Sequence, residues 1–372
     1  MLLSEFDFEL PESLIARYPA EKRELSRLLH YNLESEILKH GVFEDIVEIL
    51  KPGDILVRNK TKVLPARFRV PIDDKEVEVL LVEQIAEDKF TLNGIDNIGV
   101  GELVWRILAK PGKKLKNLES FEIAKGIEVE LLKKQIEGKQ FEFFVIFANE
   151  EDFENAVSNF GEMPIPPYMK RKAEQLDKER YQTTFAEEKG MGSSIAAPTA
   201  GLHFTKDLDQ KLKDKGVDIF ELTLHVGIGT FAPIRCEKIE EHQMHSEVYE
   251  ASLELWRKIL EAKKSGNRVI AVGTTSIRTL ESIAKFHIDK YGDLETIEPE
   301  FLSGATDIYI YPPEFQFQII SGMVTNFHLP QSSLFLLISA FLGTKKAKDL
   351  YAEAIEKEYR FYSYGDACLF LK

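Results

Sequence analysis

The hydrophobic pattern changes period twice along the chain, and that change limits the architecture more than any motif does. From Val63 to about Phe147 the apolar residues come in short, punctuated runs: Glu76 to Glu83 alternates, Glu102 to Ala109 follows a glycine pair, and Phe141 to Phe147 is aromatic and β-branched. Successive side chains of a strand point to opposite faces, so these runs read as strands, and their close spacing predicts a small barrel or sandwich. After about residue 153 helices alternate with strands. A helix from Thr205 to Lys215 is stopped by Gly216 and followed by a strand from Val217 to Val226. A second helix, Leu253 to Lys264, ends at Gly266 and leads into a strand from Arg268 to Val272, with another helix starting near Thr275. Such alternation predicts an α/β layer. The first sixty residues, with an amphipathic segment at Phe43 to Leu50 and a strand at Gly53 to Val57, match the later part rather than the middle. The expectation is therefore an α/β fold: a large mixed-sheet α/β domain, discontinuous over 1–60 and 153–372, with an inserted small β-barrel domain at 61–152.

Composition excludes several classes. The N-terminus carries acids where a signal peptide needs a basic start, and the longest late apolar run, Leu334 to Leu342, is too short to span a bilayer. A cytoplasmic protein is expected. Cys236 and Cys368 are the two cysteines and lack CxxC spacing, so they are expected to be ordinary core thiols. A net charge of −14 argues against non-specific coating of nucleic acid, which needs clustered Lys and Arg. Two local basic clusters remain as candidate phosphate contacts: Lys113, Lys114 and Lys116, and Lys170, Arg171 and Lys172.

Four segments mix Gly, small hydroxyl residues, His and Asn without helical or strand period: Ala197 to Thr205, Leu224 to Phe231, Val272 to Arg278, and Val324 to Pro330. Three of them directly follow an expected strand. In an open α/β sheet the loops after the carboxyl ends of the strands form the ligand crevice, so these segments are expected to converge on one site. Gly227 to Ala232 fits a dinucleotide fingerprint, but Pro233 follows where that fingerprint must open a helix, which disfavours a nicotinamide or flavin reading. In the third segment, Thr274 or Thr275 as helix N-cap, with Arg278 in the first turns, would suit a carboxylate or phosphate. His242 and His245, three apart, carry the alternative of a metal-dependent hydrolase, with His203, His225 or His328 as a further ligand. Unmetallated, the same histidines suit general acid and base chemistry near neutral pH.

In this order along the chain, these segments resemble the S-adenosylmethionine:tRNA ribosyltransferase-isomerase family. The resemblance runs from Asp7-Phe8-Glu9-Leu10-Pro11 and Ser26-Arg27-Leu28-Leu29 through Thr61 to Arg67, Met163 to Tyr168 and Arg180 to Thr183. It continues through Ala197 to Phe204, Leu224 to Phe231, His242 to Glu247, Gly273 to Leu280 and Thr325 to Pro330, and ends at Tyr359 to Ala367. Glu24 stands where the family has Asp, Lys60 replaces the Asp of its Asn-Asp-Thr-Lys pattern, and Ser321 replaces an Asp before Gly322.

The resemblance implies a monomer that consumes S-adenosylmethionine as substrate, takes tRNA bearing 7-aminomethyl-7-deazaguanine as acceptor, and uses no metal or redox cofactor. Such chemistry needs a base for the proton beside the sulfonium, a donor for departing adenine and an anion site for the methionine carboxylate. His203 and His225 are the candidate base and acid, with His242, His245 and His328 in reserve. Thr199, Gly201, Gly227, Gly229 and Thr230 are expected to line the nucleoside, Thr274, Thr275 and Arg278 to take the carboxylate or a phosphate, and Asn326 to belong to the same site. Phe204, Phe231, Phe327 and Tyr364 are candidate stacking surfaces for the tRNA base, and Lys170, Arg171 and Lys172 for its phosphates.

Overall fold

The computed structural model describes residues 1–87, 90, 95, 98–136, 141–187, 194–227, 234–296 and 302–372. Its strands are β1 (Arg27–Asn32), β2 (Leu38–Val42), β3 (Ile55–Asn59), β4 (Arg67–Ile72), β5 (Lys75–Gln84), β6 (Leu103–Lys110), β7 (Ser120–Ala124), β8 (Ile127–Gln135), β9 (Phe141–Phe147), β10 (Asp218–Leu224), β11 (Glu247–Glu250), β12 (Val269–Val272), β13 (Ser303–Thr306), β14 (Gly322–Asn326) and β15 (Ala367–Leu371). Nine of them form one mixed sheet in the order β13-β11-β10-β3-β12-β14-β15-β1-β2. Its central strands β10, β3, β12 and β14 run parallel, so their carboxyl ends share one edge.

Strands β3, β12, β14 and β15 are buried at every position, as parallel-type strands covered on both faces must be. The period of two sorts β12 between two cores. Val269 and Ala271 pack with Leu280, Phe335 and Tyr351 on one face, while Ile270 and Val272 pack with Phe43, Phe204 and Leu212 on the other. Helix Lys206–Asp214 starts at Thr205, whose side chain accepts from Leu208 N–H, buries Leu208 and Leu212, and stops before Gly216 at φ +89°. Helix Ser333–Leu342 contains the apolar run that is too short to span a bilayer and buries most of it; Ser332 caps it.

The remaining six strands form an antiparallel sheet, β4-β5-β6-β9-β8-β7, whose edge strands β4 and β7 approach each other and nearly close it as a barrel. It encloses a separate core that includes Val79, Trp105, Val129, Phe147 and Phe153. The mixed sheet and the barrel-like sheet are as the sequence led us to expect. Cys368 is a buried thiol and Cys236 a half-buried one, both free. Among the described residues no helix is long and apolar enough to cross a membrane.

Candidate active site

The carboxyl ends of the central parallel strands open onto a cavity of about 290 Å³. All four unperiodic segments reach it. Thr199 comes from the turn Thr199–His203, Val226 follows β10, Thr274 and Thr275 follow β12, and Asn326 and His328 end and follow β14. Tyr168, Tyr362 and Ser363 also line it.

Asn326 connects this cavity to a buried relay. Its Nδ2 lies 3.2 Å from His203 Nε2, and His203 Nδ1 lies 2.6 Å from Ser26 Oγ. Ser26 in turn donates its hydroxyl hydrogen to the carbonyl of Arg23 at 3.0 Å. With that hydrogen committed, His203 Nδ1–H must donate to Ser26 and Nε2 must accept from Asn326. Burial pushes the His203 pKa down to about 3, so the neutral ring that this relay requires is the form present at pH 7. Asn326 Oδ1 is then left as a buried acceptor without a partner. His203 lines a smaller neighbouring cavity rather than this one.

A second unpartnered polar atom belongs to Thr275. Helix Gly273–Tyr291 begins two residues before the expected start, with Val272 at the N-cap position and no side-chain cap. Gly273 makes the turn at φ +83°, a left-handed conformation that favours glycine. Thr274 and Thr275 therefore sit inside the first turn instead of capping it. Thr275 Oγ1 is buried without a hydrogen-bond partner, beside the helix end where backbone N–H groups are unsatisfied.

Arg278 does not join them. Its guanidinium is buried against Glu247, forming an ion pair, and also donates to the carbonyl of Ile308 at 3.4 Å. Glu247 accepts from Gly227 N–H at 2.8 Å as well, so the pair anchors the start of the glycine segment rather than presenting a cation to a ligand. Gly201 is a packing glycine: a Cβ there would lie 2.8 Å from the Phe185 ring. Gly229, Thr230 and Phe231 lie outside the described residues, as does most of the fingerprint-like stretch.

The other histidines separate by position. His328 lines the cavity; its Nε2 lies 2.8 Å from Thr325 Oγ1, Nδ1 has no hydrogen-bond partner among the described residues, and burial pushes its pKa down to about 3. His225 is half-buried, 3.4 Å from Thr61 Oγ1, and burial lowers its pKa. His242 is half-buried against the Tyr309 ring and His245 is exposed; burial, and then the neighbouring His245, lower the His242 pKa. Neither lines the cavity, and among the described residues no group of three His, Cys, Asp or Glu side chains is placed to hold a metal ion.

The family model described as "Queuosine biosynthesis protein" matches residues 3–370. The chain belongs to that family. It is 44% identical over 369 residues to the S-adenosylmethionine:tRNA ribosyltransferase-isomerase of Thermosipho africanus, covering 99% of each chain. It is 42% identical over 378 residues to the enzyme of the same name from Halothermothrix orenii, covering all of both. Among solved structures it resembles the crystal structure of S-adenosylmethionine tRNA ribosyltransferase from Thermotoga maritima, with a TM-score of 0.53, 33% identity, and coverage of 99% of this chain and 100% of that one. The protein is thus an enzyme of the ribosyltransferase-isomerase class.

Within this queuosine-family chain, several side chains chosen from sequence lie elsewhere than expected. Phe204 and Phe327 are fully buried in the two cores that flank the mixed sheet, so neither offers a stacking face. Tyr364 lines the smaller cavity and donates to Asp177 at 2.8 Å. The aromatics on the main cavity are Tyr168 and Tyr362, with ring centroids 4.1 Å apart; Tyr362 is held at φ +73°, an uncommon conformation for a bulky residue. Both lay in segments that resembled the family, but nothing in their local pattern set them above their neighbours. Lys170, Arg171 and Lys172 are not a free basic patch. Lys170 pairs with Glu12 at 2.6 Å, Arg171 binds Asp177 through both terminal nitrogens at 2.7 Å, and Lys172 approaches Glu76 at 3.8 Å.

Proposed function

We propose that this enzyme transfers and isomerises the ribosyl moiety of S-adenosylmethionine onto 7-aminomethyl-7-deazaguanine at the tRNA wobble position, giving epoxyqueuosine-tRNA, adenine and methionine. Family membership supplies the reaction class. The observation that carries the substrate assignment is the pair of buried, unpartnered polar atoms, Thr275 Oγ1 and Asn326 Oδ1, on one cavity. A buried polar atom without a partner costs about 1–3 kcal/mol, so a ligand that satisfies both recovers that cost on binding.

In this reading the Thr275 hydroxyl and the N–H groups of its helix end hold the methionine carboxylate. Asn326 Oδ1 accepts an N–H of the substrate, and Tyr168 and Tyr362 flank the rings. The sulfonium acidifies the adjacent ribose C5′. His328 Nδ1 takes that proton and returns it to adenine as adenine departs with the glycosidic electron pair. The aminomethyl nitrogen bonds to the opened ribosyl skeleton and loses a proton to solvent. The carbon ring closes, and the freed ribose ring oxygen forms the epoxide as methionine leaves with the carbon–sulfur electron pair. Burial keeps His328 neutral and able to accept, and a carboxylate arriving nearby opposes the burial and strengthens it as a base. His203 acts through Asn326 as a positioning residue. We further read the enzyme as a cytoplasmic monomer that consumes S-adenosylmethionine and needs no metal or redox cofactor.

The test is product analysis. After incubation with S-adenosylmethionine and the modified tRNA, the digested tRNA should contain epoxyqueuosine, formed in step with free adenine. Adenine release without a change in the tRNA nucleoside would show simple hydrolysis instead.

A further inference from the structure

On the Ser26 side of His203 lies a second, small cavity of about 20 Å³. Arg23, Arg180 and Arg360 line it together with Ser26, His203 and Tyr364, and among the described residues no carboxylate does. It adjoins the main cavity, because Ser363 lines both.

Arg23 and Arg180 are held by backbone carbonyls rather than by acids. Arg23 donates to the carbonyls of Leu202 and Glu179 at 3.0 and 2.9 Å, and Arg180 to those of Glu21 and Ala20 at 3.1 and 2.6 Å. Backbone carbonyls orient a guanidinium but leave its unit charge standing. Among the described residues neither Arg23 nor Arg180 makes an ion pair, whereas Arg360 is paired with Asp366 at 3.2 Å. Arg180 Nε is buried with no partner. Burial, and then the charge of Arg180, push the Arg23 pKa down from its ordinary range. Two fixed cations that no described carboxylate contacts, with Glu179 and Glu24 acting on Arg23 only from beyond ion-pair distance, stand around a hole with a free donor and make an anion site.

Size decides which anion. The hole is small, about 20 Å³ against about 290 Å³ for the main cavity, so it excludes a nucleoside and takes an oxygen of a compact anionic group. A phosphodiester presents such an oxygen at the end of a bulky group that stays outside. We propose that Arg23 and Arg180 seat a backbone phosphate of the tRNA beside the nucleotide being modified. The inference rests on the functional reading above. It also answers how a chain of net charge −14 engages RNA: through a built pocket rather than the lysine-rich run, whose members are already paired with acids.

The test measures binding of tRNA bearing the deazaguanine base at several salt concentrations, and S-adenosylmethionine affinity separately. The R23Q/R180Q protein should bind tRNA more weakly, with the log K against log salt slope shallower by about 0.7–0.9 per lost contact, and S-adenosylmethionine affinity unchanged. R23K/R180K keeps both charges and should retain the slope while losing affinity. Circular dichroism checks folding, and single R180Q replaces the pair if the pair unfolds. An unchanged slope in the folded glutamine variant, or a loss confined to S-adenosylmethionine binding, overturns the site while wild-type tRNA binding upholds the functional reading. Wild-type protein that fails to bind the tRNA overturns both.

Discussion

Asn326 donates its side-chain amide to His203 Nε2 at 3.2 Å, and this bond fixes that the cavity meets an acceptor, Oδ1, rather than a donor. The orientation is inherited from Ser26, which takes the Nδ1 hydrogen of His203 and passes its own to Arg23. Ser26→Ala removes that oxygen and frees the ring to take the other tautomer and the amide to turn over. We expect kcat/KM for S-adenosylmethionine to fall about tenfold or more, the effect of one mispaired buried polar group. Unchanged steady-state kinetics would show that the amide orientation is immaterial.

Thr275 gives a sharper separation of binding from folding. Thr275→Val removes a hydroxyl that has no partner in the folded protein, so thermal stability should hold or rise. Affinity for S-adenosylmethionine should drop by roughly five- to a hundredfold as the carboxylate loses its donor. Calorimetric titration beside a melting curve checks both. A variant that melts early yet binds normally would place the hydroxyl in the packing instead of the site.

Among the histidines, His328 is expected to dominate turnover. His328→Ala should reduce kcat by roughly two to four powers of ten, the scale of a lost proton-transfer group, without weakening tRNA binding. His245→Ala, at an exposed position away from the cavity, should leave kcat near wild type. The reverse ranking in single-turnover assays would move the chemistry toward His242 and His245.

Stability should depend on pH through His203 and His328, with a smaller contribution from His30, which burial holds at about 4. Burial holds the folded His203 and His328 at about 3, against an ordinary value of 6.5. The unfolded chain takes up protons as pH falls below about 6.5 and the folded protein does not, so stability is fullest above that pH and declines below it. The slope is up to about 1.4 kcal/mol per pH unit for each ring. Urea unfolding between neutral and mildly acid pH should show this decline, and His203→Gln should flatten it. Equal slopes in wild type and variant would mean that His203 titrates normally.

Much of this was legible in sequence because it depends on local period. The barrel strands Glu76 to Glu83 and Phe141 to Phe147, and the helix after Thr205, follow from alternation and from a capping residue with a glycine stop. Convergence of the four unperiodic segments followed from their place after strands. Partner choice was not legible. Arg278 looked free until Glu247 was beside it, Lys170 until Glu12 was, and His203 looked like a base until Ser26 and Asn326 closed on both its nitrogens. Those partners come from distant parts of the chain. Conversely Arg23 carried no motif and Arg180 only opened the family-like segment Arg180 to Thr183, and their charge stands out because the carbonyls around them are not acids.

The most direct test of the account is whether adenine and methionine release from S-adenosylmethionine depends on the modified base. Purified enzyme should release one adenine and one methionine for each ribosyl group transferred, with tRNA carrying 7-aminomethyl-7-deazaguanine, and none with tRNA carrying guanine at the wobble position. A metal chelator should change nothing. Release that proceeds equally with unmodified tRNA, or that stops on chelation and returns with zinc, would contradict the account.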